Sequence, residues 1–231
     1  IVVRPAVLRT HVLDIAAIVQ WFADSPGVFF AAAPQPGSAW RGAGVYVSTD
    51  DISYTLLDYI QQPTTMGTAT DHLATADVGV VDWSQTLSVQ IDDGELSDAS
   101  LDQIGSGFGT NWALYGDEIL AFHSAVLETD GTYTLSGFVR GLRDTADAVG
   151  THADGERFVL LTNIGIAELS GVFHEFPLPT DLGRTVYCKI VPTGGDLDDY
   201  DSEQVTWKGE NVRCFAPTSI VQGDLATYGY D

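Results

Sequence analysis

The chain has 231 residues, of which 45% are apolar and 18% charged, a composition that buries a core and is not that of a disordered polypeptide. Ten basic residues stand against 32 acidic ones, giving a formal net charge of -22, and a field of that sign excludes specific nucleic-acid readers and binders of anionic membranes. Two positive uses of such acidity remain: life in salty water, where screening makes it tolerable, or a surface past which nucleic acid slides without sticking.

The chain opens on a short β-rich run, Ile1 to Val3, stopped by Pro5, and the segment from Thr10 to Phe22 reads as extended at its start, broken by Ser25-Pro26-Gly27. Val28 to Ala33 (VFFAAA) reads as a buried strand. Pro34, Pro36 and Gly37 then turn the chain into an alternating strand from Gly42 to Thr49, with Trp40 at the mouth of the expected hairpin. Ile52 to Tyr59 continues in β pattern. Residues 61 to 79 are rich in Thr, Ala, Gly and Asp and predict a long connecting loop, so the chain is either one β module or two lobes, 1–65 and 80–231, joined near 61–80. The pair Asp71-His72 inside it is a weak metal or catalytic signal.

Further along, Thr86 to Ile91 predicts a strand and Asp92-Asp93-Gly94 a turn, followed by one short helix over Ser97 to Ile104 with Ser97 as cap. The glycines of GSGFG (105 to 109) form a connector and not a phosphate cradle, since no strand precedes them and no Lys-Ser/Thr follows. Trp112 to Tyr115, Glu118 to His123 and Tyr133 to Val139 predict an antiparallel meander joined by Asp/Gly turns. Asp144 is expected to cap a single helical turn (TADAV) ended by Gly150, before a strand from Arg157 to Thr162. Ile164 to Leu169, Thr185 to Pro192 and Ser202 to Lys208 complete the β runs. The fold class these predict is all-β, an antiparallel sandwich-type module with one or two short helical turns.

Candidate chemistry is sparse. The histidines, at 11, 72, 123, 152 and 174, are scattered, and no Gly-x-Ser-x-Gly, His-Glu-x-x-His or Cys-His arrangement occurs, so no catalytic residue and no cofactor is assigned. Cys188 and Cys214 exclude a disulfide-rich scaffold and read as buried thiols, with a single bridge as the alternative. Asp196, Asp198, Asp199 and Asp201 offer oxygens to calcium but miss the EF-hand spacing; a solvated acidic hairpin is the simpler reading. Trp40, Trp83 and Trp112 are the candidate platforms for stacking on a sugar. No apolar run is long enough to span a membrane, no signal peptide is visible, and the ends read as those of a piece of a longer protein.

The most specific stretch is Gly137 to Leu161, GFVRGLRDTADAVGTHADGERFVLL, which holds Arg140, Arg143 and Arg157, three of the ten basic residues. Arginine forks suit carboxylates and carbonyls, so these side chains are expected to tie a turn onto neighbouring strands; binding an anionic ligand is the alternative. The string resembles a hallmark of the large tail-tip hub protein of gene transfer agents and related long-tailed phages, an Arg-rich turn followed by a His and then Gly-Glu-x-Phe-Val-Leu-Leu. Arg140, Gly141, Arg143 and Thr145 match the turn, and His152, Gly155, Glu156, Phe158, Val159, Leu160 and Leu161 match its second half. Leu142 stands where a second Arg is usual and Asp144 where a Gly is usual. ALYGDEILAFHSAVL, THVLDIAAI, WRGAGVYVSTD and Phe215 to Pro217 resemble other parts of the same family in the same order.

The resemblance implies an architectural role without enzymatic activity, in a baseplate hub at the virion tail tip. The implied partners are other tail-tip proteins and further copies of the chain in a homotrimer, with the tail channel, host attachment and DNA delivery as its business. A module that binds a host surface glycan is the alternative.

Overall fold

A computed structural model describes residues 5–16, 27–105, 109–161 and 182–210, together with the backbone of 172–175. Its strands are β1 (Leu8–Leu13), β2 (Gly27–Pro34), β3 (Ala43–Ser48), β4 (Thr55–Ile60), β5 (Met66–Ala69), β6 (Val81–Asp93), β7 (Trp112–Tyr115), β8 (Glu118–Leu127), β9 (Tyr133–Leu142), β10 (Arg157–Leu160), β11 (Val172–Glu175), β12 (Thr185–Pro192) and β13 (Glu203–Thr206). One short helix, α1 (Leu101–Gly105), interrupts them. The chain is all-β and its strand pairs are antiparallel, as the alternating runs and Asp/Gly turns predict.

Three sheets make the architecture. The strands β10-β5-β6-β9-β8-β7 close into a six-stranded barrel, β1-β2-β11 form a small sheet, and β13-β12-β3-β4 form a four-stranded one. Side chains from alternate positions, among them Leu87, Val89, Leu120, Phe122, Leu135, Phe138 and Phe158, fill one cluster inside the barrel. It is therefore a packed core and not a pore. The opposite faces of the same strands, through Trp112, Leu114, Ile119, Ala121 and Val159, pack on Phe29, Ala31 and Ala33 of β2. The other face of β2, Val28, Phe30 and Ala32, packs on Val45, Ile60, Val186 and Ile190 of the four-stranded sheet.

Because β2 is covered on both faces, its sequence is continuously apolar, which made it legible as a buried strand. Its pairing was not. The expected hairpin of β2 with β3 does not form, because β1 and β11 occupy both edges of β2 and β3 joins the other sheet between β12 and β4.

The stretch 61–79, expected as a loop, contains the barrel strand β5. Its small residues are what admit it: a Cβ on Gly67 would stand 1.9 Å from the carbonyl oxygen of Gln90, so only glycine lets β5 approach β6 this closely. Two caps also differ from expectation. Ser100, not Ser97, caps α1, its hydroxyl accepting from Gln103 N (3.2 Å) while Gln103 Oε1 accepts from Ser100 N (2.8 Å), a reciprocal capping box. The turn Ala146–Ala148 is a 3-10 helix preceded by Thr145, and Asp144 lies outside it in the left-handed region with φ 65°. No helix among the described residues is long and apolar enough to cross a membrane.

Candidate functional site

The strongest cluster of chemistry lies at one mouth of the barrel. Glu118 begins β8 and continues the inward series of Leu120 and Phe122, while Arg140, near the end of β9, continues that of Phe138. The two side chains meet as a fork on a fork, Arg140 Nε donating to Glu118 Oε1 and Nη2 to Oε2, both at 2.8 Å. Gly141 N adds a third bond to the carboxylate, on Oε1 at 2.8 Å. His152 then places Nε2 at 2.8 Å from Glu118 Oε2 and Nδ1 at 2.7 Å from Glu156 Oε2. With a carboxylate oxygen on each ring nitrogen, His152 is doubly protonated and donates on both sides. The four residues thus sum to zero charge.

Burial governs the proton equilibria here, and hydrogen bonds overrule it. Burial alone pushes the Glu118 carboxyl up, but bonds from His152 and Arg140, the Arg140 charge and Gly141 N together hold it below the ordinary glutamate value. For His152 burial pushes down, and the bonds to Glu118 and Glu156 with their charges outweigh it, so its pKa lies above the ordinary histidine value. Tyr115 stacks on the imidazolium with ring centroids 4.0 Å apart and the planes 24° from parallel. Arg140 reaches Ala74 O at 3.3 Å, which ties the loop after β5 over the mouth.

The glycines and turn residues of the motif exist to make this convergence possible. A Cβ on Gly116, in the β7-β8 turn, would stand 2.3 Å from Glu156 Oε2, and φ there is +57°. Arg143 and Asp144 both have positive φ, and Thr145 N donates to Leu142 O at 3.3 Å, the geometry of a tight turn with two left-handed residues. Asp tolerates that conformation better than most side chains, which accounts for its presence at a position where glycine would be easier. Leu142 packs on the cluster between barrel and small sheet. Thr145 Oγ1 donates to Leu142 O (2.7 Å) and accepts from Ile119 N (2.9 Å), locking the turn to β8. The Arg143 guanidinium lies 5.1 Å from the centre of the Trp112 ring, and burial lowers its pKa. Arg157 donates to Gly116 O (2.9 Å) and Asp117 (3.0 Å). Gly155, at φ +87°, turns the chain so that its N–H reaches Ala69 O at 2.9 Å.

The structure therefore gathers Arg140, Gly141, His152 and Glu156 around one point and places Thr145, Arg143 and Arg157 on its flanks. Sequence reasoning missed the point itself, Glu118. The available signal was an acid opening an otherwise apolar strand, EILAF, just after a Gly-Asp turn. Both Glu118 oxygens accept two hydrogen bonds each, so the carboxylate has no lone pair left for a substrate and acts as a clamp.

The other candidates separate. Trp112 is only 5% exposed and its indole N–H donates to Ile104 O at 3.1 Å, so as a sugar platform it is corrected: it is a core residue. Trp40 packs on the core beside the four-stranded sheet and donates to Gln61 O at 2.8 Å. Trp83 is 58% exposed. His72 pairs with Asp154 at 2.7 Å on the surface, and Asp71 instead accepts from Ser88 N and Oγ. Asp196 caps the 3-10 turn Leu197–Asp199 by accepting from Asp198 N. Among the described residues no three His, Cys, Asp or Glu side chains converge on a point where a metal ion would fit, so Asp196, Asp198, Asp199 and Asp201 are not gathered as calcium ligands. Cys188 is a buried free thiol pushed up to about 12 by burial. Cys214, the side chain of His174 and the β run expected over Ile164 to Leu169 lie outside the described residues.

Residues 64–159 match the family Rcc01698-like, C-terminal. That span runs from just before β5 to within β10 and so takes in the barrel and the whole ion network. A search of curated proteins finds no match.

Proposed function

We propose that this chain is a structural module of the tail-tip baseplate hub of a gene-transfer-agent-like or long-tailed phage particle. The observation that carries the reading is the convergence of the hub-like motif on one buried, charge-neutral clamp. Residues scattered over 118–156 in sequence close a single barrel mouth, so the motif braces the fold, which suits an architectural module. The match of residues 64–159 to the family Rcc01698-like, C-terminal supports it.

On this reading the chain works without turnover, with other tail-tip proteins and copies of itself as a homotrimer, in the closure of the tail channel, host attachment and DNA delivery. The barrel interior is filled, so any DNA path runs between modules, and the net charge of -22 lets DNA pass such a wall without sticking. The test is location. Particles purified from a strain encoding the chain should contain it by mass spectrometry, and gold-labelled antibody should decorate the tail tip. Absence from particles, or label on the head, refutes the reading. Release of fragments from peptidoglycan by the purified chain would overturn the architectural role in favour of a wall hydrolase.

A further inference from the structure

Between Asp82 and Thr86 the register of β6 against β9 shifts, so that Trp83, Ser84 and Gln85 stand opposite the single residue Gly137. This bulge is firmly built. The Asp82 carboxylate accepts from Ser84 N (2.8 Å), Ser84 Oγ (2.6 Å) and Gln85 Nε2 (2.7 Å), and Gln85 Oε1 accepts from Ala74 N at 2.6 Å. Bulges re-aim side chains, and this one turns Trp83 onto the outside of the barrel.

The indole is seated there rather than waving in solvent. Gly137 has φ +69°, and a Cβ on it would stand 2.6 Å from the six-membered ring of Trp83 and 2.8 Å from His123 Cβ. His123 of β8, between the register pairs Phe122↔Phe138 and Ser124↔Ser136, lies across from Gly137 and meets the indole edge-on, centroids 5.4 Å apart at 78°. Its Nδ1 lies 2.6 Å from Ala99 O, so Nδ1 carries a proton and Nε2 is left for another partner. Covering a glycine explains one side of Trp83; it does not explain why 58% of the residue stays open.

Beside this row lies a row of hydroxyls. Thr86, Ser136 and Ser124 are in register across three strands, and Ser88 and Thr134 follow in the next outward row. Leu87 and Leu135 point into the barrel, so these hydroxyls point out. Ser124 and Ser88 are engaged with Asp98 and Asp71. Thr86, Ser136 and Thr134 have no side-chain hydrogen bond within the described residues. Strands about 4.8 Å apart set these groups at intervals along a shelf that starts at the indole.

We infer that the outer barrel face at the β6 bulge binds carbohydrate, Trp83 stacking on the apolar face of a sugar ring while Thr86, Ser136 and His123 Nε2 meet its hydroxyls. A ring with one apolar face and a rim of hydroxyls needs this pairing of an aromatic platform with unsaturated polar groups. The acidic surround, Asp82 and Asp98 nearest, selects neutral or N-acetylated sugars over uronic or sialic acids. The inference stands on the bulge and its neighbours and is independent of the hub reading.

The experiment is a glycan array on the full chain, followed by tryptophan-fluorescence titration with maltohexaose and the hexasaccharide of N-acetylglucosamine. Saturable binding to a neutral or N-acetylated glycan is expected, weakened about tenfold or more in Trp83→Ala and partly retained in Trp83→Phe. Tyr59→Ala, which alters an exposed aromatic on the four-stranded sheet, should bind as the parent does. If Trp83→Ala melts at a much lower temperature than the parent, the double variant Thr86→Ala/Ser136→Ala decides, since neither hydroxyl makes a side-chain hydrogen bond among the described residues, and it too should bind weakly. Silence across the array, binding confined to acidic glycans, or undiminished binding by both variants overturns the inference. So does Trp83-dependent self-association without glycan binding, which would make this face a protein contact.

Discussion

Strands β8 and β9 carry two opposite environments within a few residues. On the inside, the fully buried Glu118 and Arg140 meet His152 and the partly exposed Glu156 in a cluster where each charge is matched and each Glu118 oxygen is used twice. On the outside, His123 and Gly137 form the back of an open seat for Trp83, next to hydroxyls with no side-chain hydrogen bond among the described residues. The difference teaches where to look for structure and where for recognition. Polar groups that saturate one another bind the fold together, whereas polar groups left unsaturated beside an exposed aromatic are available to something else.

The comparison breaks most sharply at the clamp. Arg140→Ala leaves the Glu118 charge buried without its fork and should cost about 3 to 5 kcal/mol in guanidinium unfolding, whereas exchanging the whole cluster for apolar side chains of similar volume should cost far less. A loss below 1 kcal/mol, on the order expected of an exposed ion pair, would show that the cluster is solvated and no clamp. Gly116→Ala should follow at about 1 to 3 kcal/mol, because its Cβ collides with Glu156 and its φ is left-handed. An unchanged melting point would mean that Glu156 moves aside freely.

The pH dependence sharpens the same contrast. His152 lies above the ordinary histidine value in the fold, so its contribution is full below the unfolded value and fades as pH rises through the folded one. Glu118 lies below the ordinary glutamate value, so its contribution is full above the unfolded value and fades as pH falls through the folded one. The stability advantage of the parent over His152→Phe should therefore peak between about pH 4.5 and 6.5 and shrink at alkaline pH. A gap that stays constant across thermal melts from acid to alkaline buffer would refute the doubly protonated ring. The smallest effect belongs to the outer face: Thr86→Ala/Ser136→Ala should change unfolding free energy by no more than about 0.5 kcal/mol. A larger loss would assign those hydroxyls to the fold and remove them from the proposed shelf.

Much of the fold was readable because its signals are local. Asp/Gly turns mark the meander of β7, β8 and β9, and the boundaries Trp112–Tyr115 and Thr185–Pro192 fall where the apolar runs do. The site was only half readable. Arg140 stood out because basic residues are rare here, and His152 and Glu156 because they match the motif, but Glu118 lies 22 residues before Arg140 among 32 acids, and its one local mark, opening an apolar strand, does not name its partner. Likewise three tryptophans were equivalent on paper until the bulge at Asp82 exposed one and the core claimed the other two.

By itself, then, the sequence determined strand content, antiparallel order and the residue types of the motif, because periodicity and turn chemistry act over a few residues. Barrel closure, the insertion of β5, the partner of Arg140 and the exposure of Trp83 were decided only by the tertiary structure. Each depends on which distant strands become neighbours and on where a missing Cβ, at Gly67, Gly116 or Gly137, lets them approach.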